Sequence, residues 1–270
     1  MVLEAAKQLR RKLGLTRLGV ASARMYMERN ALAALRSRRT PKTSGRILCY
    51  HSIGQAEYGV NDVTPALFRR QLEFALSAGY RFVPAHKLAT TGGDAQELAI
   101  TFDDAFRTVL EAASPILKEY SIPWTVFVVS EWSEHKNDWS RGAILDWRGL
   151  DKALAEGAEI GSHSMTHPDF AKIESAQMQE ELFGSRRLIE DRLGVPVSSF
   201  AIPLGQSMNW PDAAGQMAVQ AGYKLIYAQA ERTRPRDTVA RTFVTHFDDE
   251  RIFAALLAGA FDTWEEWVWE

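Results

Sequence analysis

The sequence predicts an α/β fold on a parallel sheet, open or closed into a barrel. Three observations carry that expectation. Strand-like apolar runs alternate with amphipathic helical runs from about residue 46 to residue 257, the order that parallel strands with crossover helices require. One run, Leu98-Ala99-Ile100-Thr101-Phe102, is apolar or β-prone at every position, which suits a strand covered on both faces. It stops at two adjacent carboxylates, Asp103 and Asp104, and in open α/β sheets and barrels chemistry sits at the carboxyl ends of strands. A chain of 270 residues can bury a large core and suits a single α/β barrel.

Taken in order, Arg46 to Ile53 reads as the first strand. Thr64 then caps a helix with Pro65 at its first turn, Phe68, Leu72, Phe74 and Leu76 as its apolar positions, and Gly79 after its end. Tyr80 to Pro84 is a short strand, and Gly92-Gly93-Asp94 a turn. The strand running into Asp104 precedes a helix to Tyr120, with Val109, Leu110, Ala113, Ile116 and Leu117 at helical spacing. Trp124 to Val129 is a strand, and 130–142 a polar loop over the top of the sheet. Leu150 to Gly157 is helical, and Ala158 to Gly161 is a strand leading to Ser162-His163. Ser175 to Leu193 is a strong helix closed by Gly194. Next come a strand at Phe200 to Pro203, a helix at Ala213 to Ala221, a strand at Tyr223 to Ala228, a last strand at Arg241 to His246 and a last helix at Glu250 to Leu257. Trp264, Trp267 and Trp269 form an aromatic tail.

Composition is that of an ordinary folded domain, with 46% hydrophobic and 24% charged residues. One cysteine, Cys49, permits no intrachain disulfide, which fits a reducing compartment. The net charge of −2 hides a polarised chain. Residues 1–46 hold twelve basic side chains against two acidic, a net of +10, and the remainder 20 basic against 32 acidic, a net of −12. Residues 1–45 therefore read as a basic helical extension with a linker at Thr40 to Gly45, and 46–270 as the catalytic barrel. Three readings of the extension compete: a helix across the barrel's bottom or on a neighbouring subunit, a peripheral anchor on anionic membrane, or an organellar transit peptide. No run approaches the roughly 20 apolar residues of a membrane span, and no apolar core of signal-peptide length appears. A cytoplasmic, membrane-associated location is the expectation. Nucleic acid is not an expected partner, because the barrel portion is acidic and carries no recognition motif. Oligomeric state is not legible.

The candidate chemistry lies in Asp103-Asp104 and in Ser162-His163-Ser164-Met165-Thr166-His167. One Asp with two His is a three-ligand set for a divalent metal with a coordination position left open, and the spare carboxylate can serve as a base beside it. Read alone, each half has a second explanation. An Asp there can simply cap the next helix, and the two histidines can be surface or packed residues. A helix through both is disfavoured, because Pro168 pushes His167 out of the α region.

Together the halves resemble the polysaccharide deacetylase family, also called the NodB-homology or carbohydrate esterase 4 family. Thr101-Phe102-Asp103-Asp104 is followed about sixty residues later by His163-Ser164-x-x-His167. Cys49-Tyr50-His51-Ser52-Ile53, Ile122 to Val128 and Phe200-Ala201-Ile202-Pro203-Leu204-Gly205 resemble further family segments, over about Ile47 to Gly259. The resemblance implies a NodB-type fold, a distorted (β/α)7 TIM-like barrel, and hydrolytic removal of acetyl groups from sugars. It implies zinc, with cobalt, nickel or manganese in some members. Position by position, Asp104, His163 and His167 would hold the metal, and Asp103 would be the base that takes a proton from the attacking water. His246, in Val244-Thr245-His246, would be the acid that protonates the leaving amine. His51, Trp147, Pro203, Leu204 and Gly205 would line the acetylated-sugar site. There are departures. Ala105 stands where the family has Gly, and Ala201 where many members carry an Arg that orients the base. These motivate two alternatives, an allantoinase-like hydrolase of a cyclic amide and a non-catalytic glycan-binding protein that retains the metal. The expected substrate is an N-acetylated polysaccharide, oligosaccharide or lipid-linked sugar, and the absence of a secretion signal favours a lipid-linked or nucleotide-linked intermediate.

Overall fold

The computed structural model describes residues 17–35, 43–136, 138–229 and 233–262. In chain order the strands are β1 (Arg46–Tyr50), β2 (Ser52–Ile53), β3 (Asp62–Val63), β4 (Arg81–Phe82), β5 (Glu97–Phe102), β6 (Trp124–Val128), β7 (Glu159–Ser162), β8 (Ser199–Ala201), β9 (Leu225–Ala228), β10 (Val239–Ala240) and β11 (Thr242–Phe243). The helices are α1 (Arg17–Ala34), α2 (Pro65–Ser77), α3 (Ala85–Thr91), α4 (109–119), α5 (Asp138–Ala143), α6 (Trp147–Ala155), α7 (175–193), α8 (Asp212–Gln220) and α9 (Glu250–Leu257).

The main sheet is parallel throughout and runs β10-β9-β8-β7-β6-β5-β1-β11, with β4 beside the start of β5. Its two ends are consecutive in sequence, since only Arg241 separates β10 from β11. Arg241 donates its backbone N–H to Ala228 on one side, and Val244 donates to Cys49 on the other. One bent strand over 239–243 thus bridges β9 and β1, which makes a nearly closed barrel of seven strands. This is the expected distorted (β/α)7 architecture.

Strand periodicity sorts the side chains into two cores. Leu48, Ile100, Phe102, Val126, Val128, Phe200 and Ile226 point outward beneath the helices and belong to the larger core. Ile47, Ala99, Phe127, Ala201 and Tyr227 fill the barrel axis. Large rings fit there because neighbours are small. A Cβ on Gly161 would come 2.5 Å from the Phe127 ring and 2.6 Å from Ser199 Oγ. One or two inward steps further along these strands stand His51, Asp103, His163 and Pro203, so the alternation that fills the axis also aims these side chains.

The structure adjusts several expected boundaries. The first strand breaks at His51. Asp62 Oδ1 accepts from Ser52 Oγ and from the N–H groups of Gly54 and Gln55, which pulls β2 away to pair with β3. The stretch expected as a final strand to His246 ends at Phe243, and 244–249 is a loop. Helix α3 was not foreseen, and 130–142 holds a short helical turn and most of α5 rather than loop alone. Helix α6 begins at Trp147 because Asp146 caps it, accepting from Gly149 N–H at 2.7 Å.

Helix α1 does not cross the barrel's bottom. It packs along α9 and the loop at the carboxyl end of β11. Arg29, fully buried, donates Nε and Nη2 to the two carboxylate oxygens of Asp248, both at 2.5 Å, and its guanidinium lies 4.3 Å from the Phe261 ring centre. Tyr26 meets Phe247 edge-on at 5.3 Å. The leucines at 3, 9, 13 and 15, the linker up to Lys42 and the tryptophan tail lie outside the described residues.

Gly161→Ala is expected to destabilise the barrel by about 1–3 kcal/mol through overpacking against Phe127, measured by urea denaturation.

Candidate metal centre and active site

Asp103 and Asp104 leave the end of β5 on a backbone that most residues avoid. Asp104 has φ 68° and Ala105 φ 54°, both left-handed. The Gly-to-Ala departure therefore falls where a Cβ costs energy, and the surrounding structure holds it, since Ala105 is fully buried and its carbonyl accepts from Leu145 N–H. The histidine loop is bent the same way, with Ser164 at φ 68° and His167 at φ 64°. Glu181 shapes that loop, accepting from the N–H groups of Met165 and Thr166 at 2.8 and 2.9 Å. It sits in a widened π turn of α7 over Glu180–Gly184, a distortion frequent near functional sites.

The geometry brings the expected ligands together. One ligand atom from each of Asp104, His163 and His167 lies within 4.8 Å of the others. Asp104 Oδ1 is 3.7 Å from Nε2 of His163 and 3.7 Å from Nε2 of His167. His163 turns Nδ1 to the Ala201 carbonyl at 2.8 Å, so Nδ1–H donates and Nε2 keeps its lone pair for the cluster. Trp132 stacks on His167 with ring centres 5.4 Å apart. Asp104 Oδ1 is buried with no hydrogen-bond partner. An orphaned carboxylate oxygen facing two imidazole nitrogens fits a divalent cation, which would satisfy all three.

Asp103 is held differently. Arg241 reaches across the axis and donates Nη1 to Oδ1 at 2.6 Å and Nη2 to Oδ2 at 2.8 Å. Both side chains are essentially inaccessible. The guanidinium rests 5.1 Å from the Phe127 ring centre. Cys49 Sγ stands 3.4 Å from Oδ2. Burial pushes the Asp103 carboxyl up, but the Arg241 charge, and then His163, outweigh burial and hold it well below the usual carboxylate range. Asp104 has no such partner. Burial, with Asp103 beside it, raises it to about 6 despite His51. Burial also lowers His163, to about 3, and lowers His167 and His51. At neutral pH the cluster is therefore two neutral imidazoles with a costly bare carboxylate.

Of the other expected residues, the structure brings His51 beside the two aspartates, and it shows no contact of His246 or Trp147 with the cluster among the described residues. His51 is buried, its Nδ1 without a partner, against Phe243. Pro203 and Gly205 are buried, while Leu204 is 44% exposed with φ 64°. His246 is exposed in the loop after β11, its Nδ1 3.0 Å from the Gly59 carbonyl. Trp147 packs on the core and donates its indole N–H to Glu134. Trp132 is the tryptophan at the candidate ligand cluster, through its stacking on His167, and Trp139 meets it edge-on at 4.9 Å. Sequence reading missed the roles of Arg241, Trp132 and Glu181. Arg241 had a signal: it is a charge inside the otherwise apolar run from Val239 to Val244.

Comparison with known proteins agrees with this geometry. The family model for polysaccharide deacetylase matches residues 91–226, half of the chain. This chain belongs to the polysaccharide deacetylase family. YlxY of Bacillus subtilis is 30% identical over 96 residues, 36% of this chain and 27% of its own. A chitooligosaccharide deacetylase of Bradyrhizobium is 28% identical over 116 residues, 40% of this chain and 47% of its own. The chain thus spans less than half the length of these relatives. The Streptococcus pyogenes deacetylase PplD, solved with acetate, superposes with a TM-score of 0.67 at 22% identity over 81% of this chain and 99% of its own. That likeness shows a shared fold.

In the metal-free protein, Asp104 costs stability as pH rises from about 4 through about 6, because its folded pKa lies above its ordinary value. Zinc is expected to raise the melting temperature more at pH 7.5 than at pH 5, because below about 6 a proton competes for Asp104. Asp104→Asn should abolish that rise, as followed by differential scanning fluorimetry with and without chelator.

Proposed function

We propose that this protein is a metal-dependent hydrolase that removes an acetyl group from an N-acetylated sugar. One observation supports this above the rest: an ionised, immobilised Asp103 stands 3.8 Å from the metal-ligand candidate His163 and next to the Asp104-His163-His167 cluster. Those three residues would hold the cation, zinc first by donor set. When bound, it would polarise the acetyl carbonyl and acidify a water.

The chain's own groups would do the rest. Asp103 accepts the proton of the attacking water, and Arg241 keeps that carboxylate ionised and fixed in direction. The water oxygen bonds to the acetyl carbon and the C–N bond breaks as the nitrogen takes a proton, giving acetate and a free amine. His246 is the acid in this reading. It is exposed in the loop after β11, with Nδ1 3.0 Å from the Gly59 carbonyl. His51 is the poorer acid, since burial keeps it neutral, and it serves as a pocket wall. Leu204, Trp132 and Trp139 offer apolar surface to a sugar ring. Arg241 supplies the cation that Ala201 cannot, which removes the main motive for a non-catalytic reading.

The test is acetate release from N-acetylglucosamine oligomers and lipid-linked acetyl sugars by zinc-loaded protein. Asp103→Asn is expected to lower kcat by about 100- to 10,000-fold while zinc still raises the melting temperature. No release by metal-loaded wild type across such a panel would sink the reading.

Arg241→Lys keeps a charge and loses the two-pronged bond. The acid limb of kcat/KM is expected to move to higher pH, because Arg241 is what depresses Asp103. Arg241→Met should cost about 3–5 kcal/mol in urea denaturation at neutral pH by leaving a buried charge unpaired.

A further inference from the structure

Helix α1 is apolar on two opposite faces. Its inner face, with Met25, Arg29 and Ala33 at spacings of four, is buried on the barrel. Its outer face carries Val20, Ala23, Met27, Ala31 and Ala34 at helical spacing, and every one of them is exposed. Val20 is 49% and Met27 63% exposed, and Leu35 beyond the helix is 53% exposed. No acidic residue interrupts this stripe. Glu28 lies at its flank, paired with Arg24 at 2.8 Å. A helix apolar all round is ordinarily covered on both sides.

We infer that the outer face of α1 seats on an anionic lipid surface. Charge decides the occupant. The segment 1–46 has a net charge of +10, against −12 for the rest of the chain. Two copies meeting through this face would bring two such segments together, whereas an anionic bilayer attracts each through the basic side chains other than Arg29 and Arg46, which are buried in ion pairs with Asp248 and Asp262. An apolar stripe on a helix that belongs to a basic segment lies in the interface rather than across it, and no described helix is long and apolar enough to cross a membrane. The inner face fixes the orientation. Arg29 grips Asp248 and Tyr26 meets Phe247, so the helix is fixed on the barrel with its outer face turned away from it. The inference goes beyond the hydrolase reading and does not rest on it.

The full chain is to be sedimented with vesicles of mixed phosphatidylglycerol and phosphatidylcholine, and with phosphatidylcholine alone. Binding to the anionic vesicles only, released by high salt and reduced about tenfold in a Val20→Glu/Met27→Glu double variant, is the expected result. Both substitutions are on exposed positions, and an unchanged melting temperature with zinc certifies the fold. Equal binding by the variant would show adsorption through basic side chains alone and overturn the assignment. So would no binding, or a wild-type dimer in light scattering that the variant dissociates, which would give the face to a second copy.

Discussion

The site depends on one buried ion pair, Asp103 with Arg241. Neither charge is stable alone in the barrel axis, because moving either from water into that environment costs several kcal/mol. Together, at 2.6 and 2.8 Å, they satisfy both carboxylate oxygens and leave Asp103 ionised where solvent cannot hydrate it. The pair also divides labour between adjacent carboxylates. Asp103 is pinned and strongly acidic, while Asp104, one residue on, keeps an orphaned oxygen and a raised pKa. Two aspartates thereby acquire different chemistry from position alone.

Around this pair the backbone is held in conformations that most residues avoid. Asp104, Ala105, Ser164, His167 and Leu204 all lie at positive φ, and all belong to loops at the carboxyl ends of strands. Each costs of order 1–3 kcal/mol, and the compensation is visible in named contacts: Glu181 on the loop amides, Ser164 Oγ on His167 N–H, and Ala201 on His163. The distortion fixes the separation of two imidazoles and a carboxylate before any ligand arrives.

Much of this was legible in the sequence, for local reasons. The unbroken apolar run into Asp103 marks a doubly covered strand, and Thr64-Pro65 and Gly194 mark helix ends that the structure retains. The metal-ligand candidates were legible because their residue types are chemically restrictive. The arginine was not, since its partner lies 138 residues away and no local periodicity reports which strand closes a barrel. Trp132 was placed over the barrel's top but not at the metal, because a loop's path depends on tertiary packing. Trp147 shows the converse: a promising residue beside the site whose indole N–H is taken up by Glu134.

Barrel closure through the single residue between β10 and β11 bears on how the chain is made. A ribosome releases Asp103 long before Arg241, and all three metal-ligand candidates precede residue 168. Until the 239–243 segment emerges, the half-built sheet has an open seam, and Asp103 has no counter-charge. The nascent chain therefore cannot finish its interior early, and maturation of the centre is timed to one of the last strands translated.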